Sequence, residues 1–324
     1  MDINIANLSL KTLNLRHLDA IHQLLNAHYI QHSNNIIRLV YSKNYLYWHL
    51  KHIPSDLIIG LVYNKKLVGV IMASIMELSI DGTQKDVPYV TFLCVHHTLR
   101  HHGLAPMLIN ELTKRITRYG CAIYCSKVSQ QIPFMTLHMY AIPINHTKLK
   151  SINFLDNDES EFAPITAINP FHLMNKTDLD IVVPKLNKFL EKYTIKPYFS
   201  KNNADHLLVP KKNIVYSFIN KNSIGDITDF ISLEKNYCYC IEKETIMTVA
   251  IISYYYYESM TLSDMILYII DLLGNYGIDQ LNFYDNMDNA YIDVTKYLTD
   301  TELKCYYQGD DLVCRPDETC FAIY

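Results

Sequence analysis

The sequence predicts an α+β protein, in which helices flank a mixed, largely antiparallel sheet built from two similar halves. Three observations carry this. Apolar residues recur at helical spacing in some segments and gather in short β-branched or aromatic runs in others. The order helix, strand–turn–strand, helix, strand occurs twice along the chain, which is the plan of a mixed-sheet protein. Each occurrence carries a Tyr-Gly pair, Tyr119-Gly120 and Tyr276-Gly277, between its last helix and its last strand. The expected halves are residues 1–160 and 161–324.

The elements follow in order. NLRHLDAIHQLLNAHY reads as a helix, and LIIGLVYNKKLVGVIMASI as two strands joined at Asn64-Lys65-Lys66. YVTFLCV is a buried strand by its aromatic and β-branched content. The helix after it places Leu104, Leu108, Leu112 and Ile116 on one face and tolerates Pro106 in its first turn. CAIYCSKV is the next strand. In the second half DLDIVVPKLNKFLEKY supplies the helix, with Pro184 limiting where it can start. NIVYSFINKNSIGDITDFISL supplies two strands with Gly225-Asp226 near the bend. MTLSDMILYIIDLLGNYGIDQLNFY supplies a helix capped by Thr261 or Ser263, then a strand.

Composition narrows the class. With 49% hydrophobic and 19% charged residues the 324-residue chain has the balance of a globular protein. A net charge of -4 gives no bulk electrostatic basis for nucleic-acid binding. The first residues have neither the cationic nor the apolar region of a signal peptide. The longest apolar run, Ile246 to Tyr257, is too short to span a bilayer and reads as a strand. Eight cysteines without a CxxC pair point to reduced thiols in the cytosol. The sequons at Asn7 and Asn145 are chance in so asparagine-rich a chain.

The chemistry gathers between residues 90 and 116, VTFLCVHHTLRHHGLAPMLINELTKRI. The loop from His96 to Gly103 holds one arginine, four histidines and no acid. Converging backbone N–H groups at a glycine, set at a helix N-terminus, make a cradle for a pyrophosphate. A plain glycine-containing loop with a solvated basic edge is the other reading. The four histidines could supply imidazoles to a metal, but no carboxylate or thiol pattern completes a site, and no metal is expected. The second half has nothing like RHHGLA before its helix, so one site is expected.

Arg-x-x-Gly-x-Ala after a strand is the coenzyme A pyrophosphate pattern of the acyl-CoA N-acyltransferase superfamily. FLCVHHTLRHHGLAP closely resembles the FLCVHKKLRxxRLAP signature of the glycylpeptide N-tetradecanoyltransferases, the N-myristoyltransferases. NAHYIQHSNNIIRLVYSKNYLYWHL is similar to that family's NxNYVEDxxxxFRFxYSxxFLxWAL, NKKLVGVIMA to RKLVGFISA, and AIYCSKV to AVYTAGV. The likeness runs from about residue 20 to residue 324. It implies a tandem, pseudo-twofold GNAT-like fold whose residues 1–160 bind acyl-CoA, while residues 161–324 bind peptide and supply a catalytic C-terminus.

The implied reaction moves a tetradecanoyl group from myristoyl-CoA, the acyl donor, to the N-terminal glycine of a protein. The backbone amides of Phe92 and Leu93 would hold the oxyanion, and the C-terminal carboxylate of Tyr324 would accept the proton. Leu93, Cys94, Val95, Arg100, His101, His102, Gly103, Leu104 and Ala105 would hold the coenzyme. Tyr29, Tyr41, Tyr124 and Tyr140 would line the peptide groove, with Thr91 and Cys125 orienting the glycine amine. The apolar FAIY should be buried. The partners implied are acyl-CoA and Gly-initiated peptides, without nucleic acid, and the protein is expected to be a cytoplasmic monomer, in the host cytosol if viral.

Departures from the pattern mark where substrate choice can differ. The acidic run after the first groove tyrosine is Gln31-His32-Ser33-Asn34 here. Cys125 stands for a threonine, a weaker hydrogen-bonding group. Gly103 and His102 stand for basic residues, and Ala141-Ile142 for His-Arg. The aromatic Tyr-x-Phe-Trp strip of most members has no counterpart, the single tryptophan being Trp48. Chain length of the acyl group, a lysine acceptor, or acyl-CoA binding without turnover are therefore the alternatives. The chain begins Met1-Asp2 and is not expected to be its own substrate.

Overall fold

The structure is a computed structural model, and it describes residues 7–29, 37–126, 131–155, 167–292, 297–309 and 312–321. Along the chain come β1 (Leu8–Thr12), α1 (Leu18–His28), β2 (Ile37–Val40), α2 (Lys43–Leu50), β3 (Ile58–Tyr63), β4 (Lys66–Ile80) and β5 (Thr83–Val95). Then follow α3 (Leu104–Ile116), β6 (Ala122–Cys125), β7 (Met135–Pro143), α4 (His146–Ser151), β8 (Phe171–Leu173), α5 (Leu179–Leu190) and β9 (Ile195–Pro197). The remainder is α6 (Lys201–Leu207), β10 (Val215–Lys221), β11 (Ile227–Cys240), β12 (Thr245–Tyr256), α7 (Leu262–Asn275), β13 (Gln280–Tyr284) and β14 (Leu298–Gln308). Two compact units interleave in sequence. The first is Met1–Glu77, Asp86–Phe134 and Lys304–Val313; the second is Leu78–Lys85, Met135–Leu303 and Cys314–Tyr324. The 160/161 division follows the duplication in sequence order, and the units exchange three segments across it.

In the first unit the strand order is β1-β3-β4-β5-β6-β14. Asn64 and Lys65 take positive φ of 48° and 65°, a two-residue turn whose twist matches the strands it joins, so β3 and β4 pair as an antiparallel hairpin. α3 is the crossover that makes β5 and β6 parallel, with Val90 opposite Tyr124. Its predicted face is the buried one: Leu104, Leu108, Leu112 and Ile116 are all under 6% exposed, and each such burial contributes about 2 kcal/mol. Gly120, at φ 71°, ends the helical stretch as the sequence predicts.

The second unit repeats the plan. β10, β11 and β12 are antiparallel neighbours, and α7 carries the chain to β13, which pairs parallel to β12. Thr261 is the cap of α7, accepting from the Asp264 amide. One expectation is corrected. Pro184 does not limit the start of α5, which begins at Leu179 and runs through it. An interior proline costs about 3 kcal/mol, but Leu179, Val182, Leu186 and Leu190 bury one face of this helix completely enough to hold it. Near the C-terminus, Asp288 accepts from Lys192 at 2.5 Å and from the hydroxyls of Tyr193 and Tyr257 at 2.8 Å each. The adjoining Met287 amide donates to Thr319 O at 3.0 Å, and the Asn286 amide side chain to Phe321 O at 3.3 Å. Thr319, Cys320 and Phe321 are accordingly buried.

Candidate active site

β5 breaks its own geometry where the oxyanion donors are expected. Phe92 has φ 53°, a left-handed conformation that an aromatic residue rarely adopts and that costs about 1–2 kcal/mol. Parallel pairing with β6 is recorded only for Tyr89 and Val90, before this point. The Phe92 ring is what holds the distortion. It is 2% exposed and sits edge-on to Tyr41 at 5.2 Å and to His49 at 5.1 Å, with Tyr29 at 5.8 Å. Burial pushes the Tyr29 hydroxyl up to about 12, while hydrogen bonds from the Phe92 backbone and the Thr91 side chain pull the other way. The phenol oxygen of Tyr29 thus faces the Thr91–Phe92 stretch.

The loop beyond β5 has the local structure of an anion cradle. His101 and Gly103 both have positive φ, 66° and 74°, and Gly103 caps α3 without a side-chain hydrogen bond. The first turn of α3 carries no acid, so its N–H groups and their partial positive charge remain available. A Cβ built on Gly103 would meet nothing within 4 Å. Gly103→Ala is expected to lower stability by about 0.5–1 kcal/mol through the backbone alone, left-handed strain outweighing the unfolded-state entropy that alanine saves, which a urea titration would detect. Leu104 is buried, whereas His101 and His102 are exposed. Arg100 is turned back onto the ends of β5 and α1, its Nε donating to Val95 O at 3.3 Å and its Nη2 to His28 O at 2.5 Å. Leu93 is exposed and Val95 buried. Cys94 is buried too, its thiol donating to Leu24 O at 3.8 Å; burial lifts that thiol to about 12, Arg100 opposing.

Most of the expected peptide-groove residues fall around this break. Tyr29 and Tyr41 have ring centroids 6.0 Å apart, and Asn26 fixes Tyr41 by bonding both its amide, at 2.8 Å, and its carbonyl, at 3.0 Å. On β6, Tyr124 stacks on Tyr306 at 5.1 Å and donates to Gln131 at 2.5 Å. Cys125 meets Cys305 Sγ at 3.4 Å and the Tyr89 hydroxyl at 3.8 Å. The hydrogen bond from Cys305 pulls the Cys125 thiol down and pushes the Cys305 thiol up. Tyr140 belongs to the second unit, stacked on Phe283 at 5.3 Å. Tyr324 and the Gln31–Asn34 run lie outside the described residues.

Three features escape sequence reading. His49 lies under Phe92 with its Nε2 buried and lacking a partner among the described residues. Cys305, 180 residues from Cys125, is its partner across the β6–β14 pair. His28 joins His96 and His97, supplying the third imidazole that the loop lacks by itself. The paired histidines were a visible signal, but His28 is 69 residues from His97.

A mixed sheet whose strand–helix–strand crossover carries an acid-free, glycine-turned loop defines the acyl-CoA N-acyltransferase fold. A GCN5-related N-acetyltransferase from Anabaena variabilis superposes with a TM-score of 0.52 at 10% identity, over 93% of this chain and 72% of that one. A crystal structure of Saccharomyces cerevisiae N-myristoyltransferase with bound myristoyl-CoA superposes far better, with a TM-score of 0.87 at 22% identity over 96% of this chain and 81% of that one. The family models of the N-terminal and C-terminal domains of myristoyl-CoA:protein N-myristoyltransferase match residues 4–136 and 146–308. A putative glycylpeptide N-tetradecanoyltransferase of Acanthamoeba polyphaga mimivirus is 41% identical over 308 residues, 93% of this chain and 86% of its own. The chain belongs to the myristoyl-CoA:protein N-myristoyltransferase family.

Proposed function

We propose that the protein transfers a tetradecanoyl group from myristoyl-CoA to the N-terminal glycine of protein substrates. The observation that carries this reading is the left-handed break of β5 at Phe92, immediately before a loop and helix start suited to a pyrophosphate. The amine nitrogen attacks the thioester carbonyl, the C–N bond forms, and the electron pair moves onto oxygen. The Phe92 and Leu93 amides, preorganised by the break, stabilise that oxyanion. As the carbonyl re-forms, the C–S bond breaks and coenzyme A leaves as the thiolate. The amine loses its proton to the C-terminal carboxylate of Tyr324, a reading supported by the burial of Thr319, Cys320 and Phe321 shortly before it in the chain. With an α-amino pKa of about 7.7–8.0, roughly 10–20% of the amine is already neutral near pH 7, so the deprotonation demanded is mild.

In this reading residues 1–160 supply the coenzyme contacts, through Leu93–Val95 and Arg100–Ala105. Residues 161–324 supply the base and further peptide contacts. Tyr29, Tyr41, Thr91, Tyr124, Cys125 and Tyr140 position the peptide. The enzyme works as a cytosolic monomer, an environment that suits cysteines with no disulfide among the described residues. No helix among the described residues is long and apolar enough to cross a membrane.

Intact-mass analysis of Gly-initiated peptides, offered myristoyl-CoA and acetyl-CoA separately, tests the proposal. A tetradecanoyl mass gain confined to Gly peptides is the expected result. Binding of acyl-CoA without any mass gain would place the chain among silent relatives, and acetyl transfer or lysine modification among enzymes of other specificity. Cys125→Thr restores the hydroxyl of the family pattern and is expected to raise kcat/KM severalfold, since a hydroxyl is the stronger hydrogen-bonding group. An unchanged or lower kcat/KM would remove Cys125 from the amine-orienting role.

A further inference from the structure

Three imidazoles converge where the chain leaves β5, and the transfer chemistry uses none of them. His28 ends α1, and His96 and His97 follow β5. The Nδ1 atoms of His28 and His97 are 2.9 Å apart, so one neutral ring shares its proton with the other. Ring centroids are 3.9 Å apart for His28 and His96, and 5.0 Å for His96 and His97. One ligand atom from each residue lies within 4.8 Å of the others. Two of the three are departures from the family pattern quoted above, which has asparagine where His28 stands and lysine where His97 stands.

We propose that His28, His96 and His97 form a binding site for a divalent transition-metal ion of the zinc class. Zinc takes imidazole nitrogens at about 2.0–2.1 Å, which in a tetrahedron sets neighbouring nitrogens about 3.3 Å apart. The observed spacing brackets that value, and His97, being exposed, has room to adjust. Three protein imidazoles leave a fourth position for water or an anion. The His96 ring is also held by an outer partner, as metal ligands generally are, and the backbone of His28 is held too. The Thr98 hydroxyl meets His96 Nδ1 at 2.9 Å, and the Arg100 guanidinium grips the carbonyl of His28.

Electrostatics cut both ways. Burial, the other two imidazoles, and the charges of Arg100 and Arg38 hold His28 down at about 4, and burial with His97 and Arg100 lowers His96. The same two arginines repel a dication, so affinity should fall short of that of closed structural zinc sites. The ion would tie α1 to the exit of β5 across 69 residues of chain, and so fix Tyr29, the neighbour of His28, against Phe92.

The untagged protein, stripped with chelator, is titrated with Co2+ and followed by visible absorption, then with Zn2+ by calorimetry. One equivalent of Co2+ with a tetrahedral visible spectrum, displaced by Zn2+, is expected, together with a higher melting temperature in Zn2+. His28→Asn and His97→Lys, which restore the residues of the family pattern, should each weaken binding at least tenfold. Their melting in chelator should match the parent, which separates lost ligands from lost folding. No metal uptake, uptake unchanged in both variants, or a thiolate-to-cobalt charge-transfer band would overturn the proposal. None of these readouts needs acyl transfer, so this site and the transferase reading can fail independently.

Discussion

Phe92→Ala is expected to lower the free energy of unfolding by about 3–5 kcal/mol, the usual cost of emptying a buried aromatic site. Phe92→Gly should cost roughly 0.5–1 kcal/mol less, even though glycine fills less of the cavity. Two backbone effects compete in that difference. At φ 53°, glycine removes about 1–2 kcal/mol of left-handed strain that alanine keeps. Against this stands about 0.4–1 kcal/mol of extra unfolded-state entropy for glycine. Strain relief wins, so the order should be the reverse of that at an ordinary strand position, where glycine is the worse residue. Urea unfolding of the two variants decides it, and a glycine variant less stable than the alanine one would remove the strain argument. Transfer activity should be lost in both, because the ring that pins the Phe92 amide against Tyr41 and His49 is gone.

Stability is expected to fall by about 3 kcal/mol between pH 7 and pH 4 on account of His49 alone. Burial, with a smaller contribution from His52, holds its imidazole down at about 4, against 6.5 for an ordinary histidine. The folded state therefore keeps His49 neutral while the unfolded state takes up its proton. The contribution is complete above about pH 6.5, declines as pH falls, and is fully lost below about pH 4. His49→Phe, which removes the partnerless Nε2 while preserving a flat ring beside Tyr45 and Phe92, should flatten that part of the profile. An unchanged slope would show that His49 titrates normally. His28 acts in the same window, with a smaller effect because it is more exposed to solvent. Below about pH 4 a second decline belongs to Asp229 and Asp279. Burial would raise both carboxyls, but Ser259 and Thr228 around one, and Lys148 and Thr248 around the other, hold them lower. Their stabilisation is present above the ordinary carboxylate range and is lost as pH falls through the lowered values.

Local chemistry made much of this fold legible. The Asn64-Lys65 turn, the buried face of α3, the Thr261 cap and the two Tyr-Gly stops all follow from period, cap and turn preferences within a few residues of each other. Pro184 misleads because tertiary burial of the face around it outweighs a local penalty. The Phe92 break could not be read from FLCV, which has the composition of an unbroken strand. Its cause is a cage of rings from α2 and the segment between α1 and α2, brought in from more than 40 residues away. Likewise the Cys125–Cys305 contact and the His28–His97 contact depend on pairings that no local pattern encodes. The glycine turn that opens α3 was legible, whereas the turning of Arg100 onto His28 O and Val95 O was not, since a basic side chain gives no sign of which oxygen it will choose.

The interleaving of the two units bears on how the chain is made. Strand β6 finds one neighbour, β5, among residues already synthesised, but its other neighbour is the end of β14, which belongs to the segment beginning at Lys304. At about 5–20 residues per second, the roughly 170 residues between Phe134 and Lys304 take on the order of 10–30 s to emerge from a ribosome. For that interval the nascent first unit carries an open edge at Ala122–Cys125 with nothing yet made to close it, an invitation to aggregation or to chaperone capture. Truncation before residue 304 should leave that edge exposed permanently, so a stable fragment of the first unit would need the β14 segment grafted back onto it.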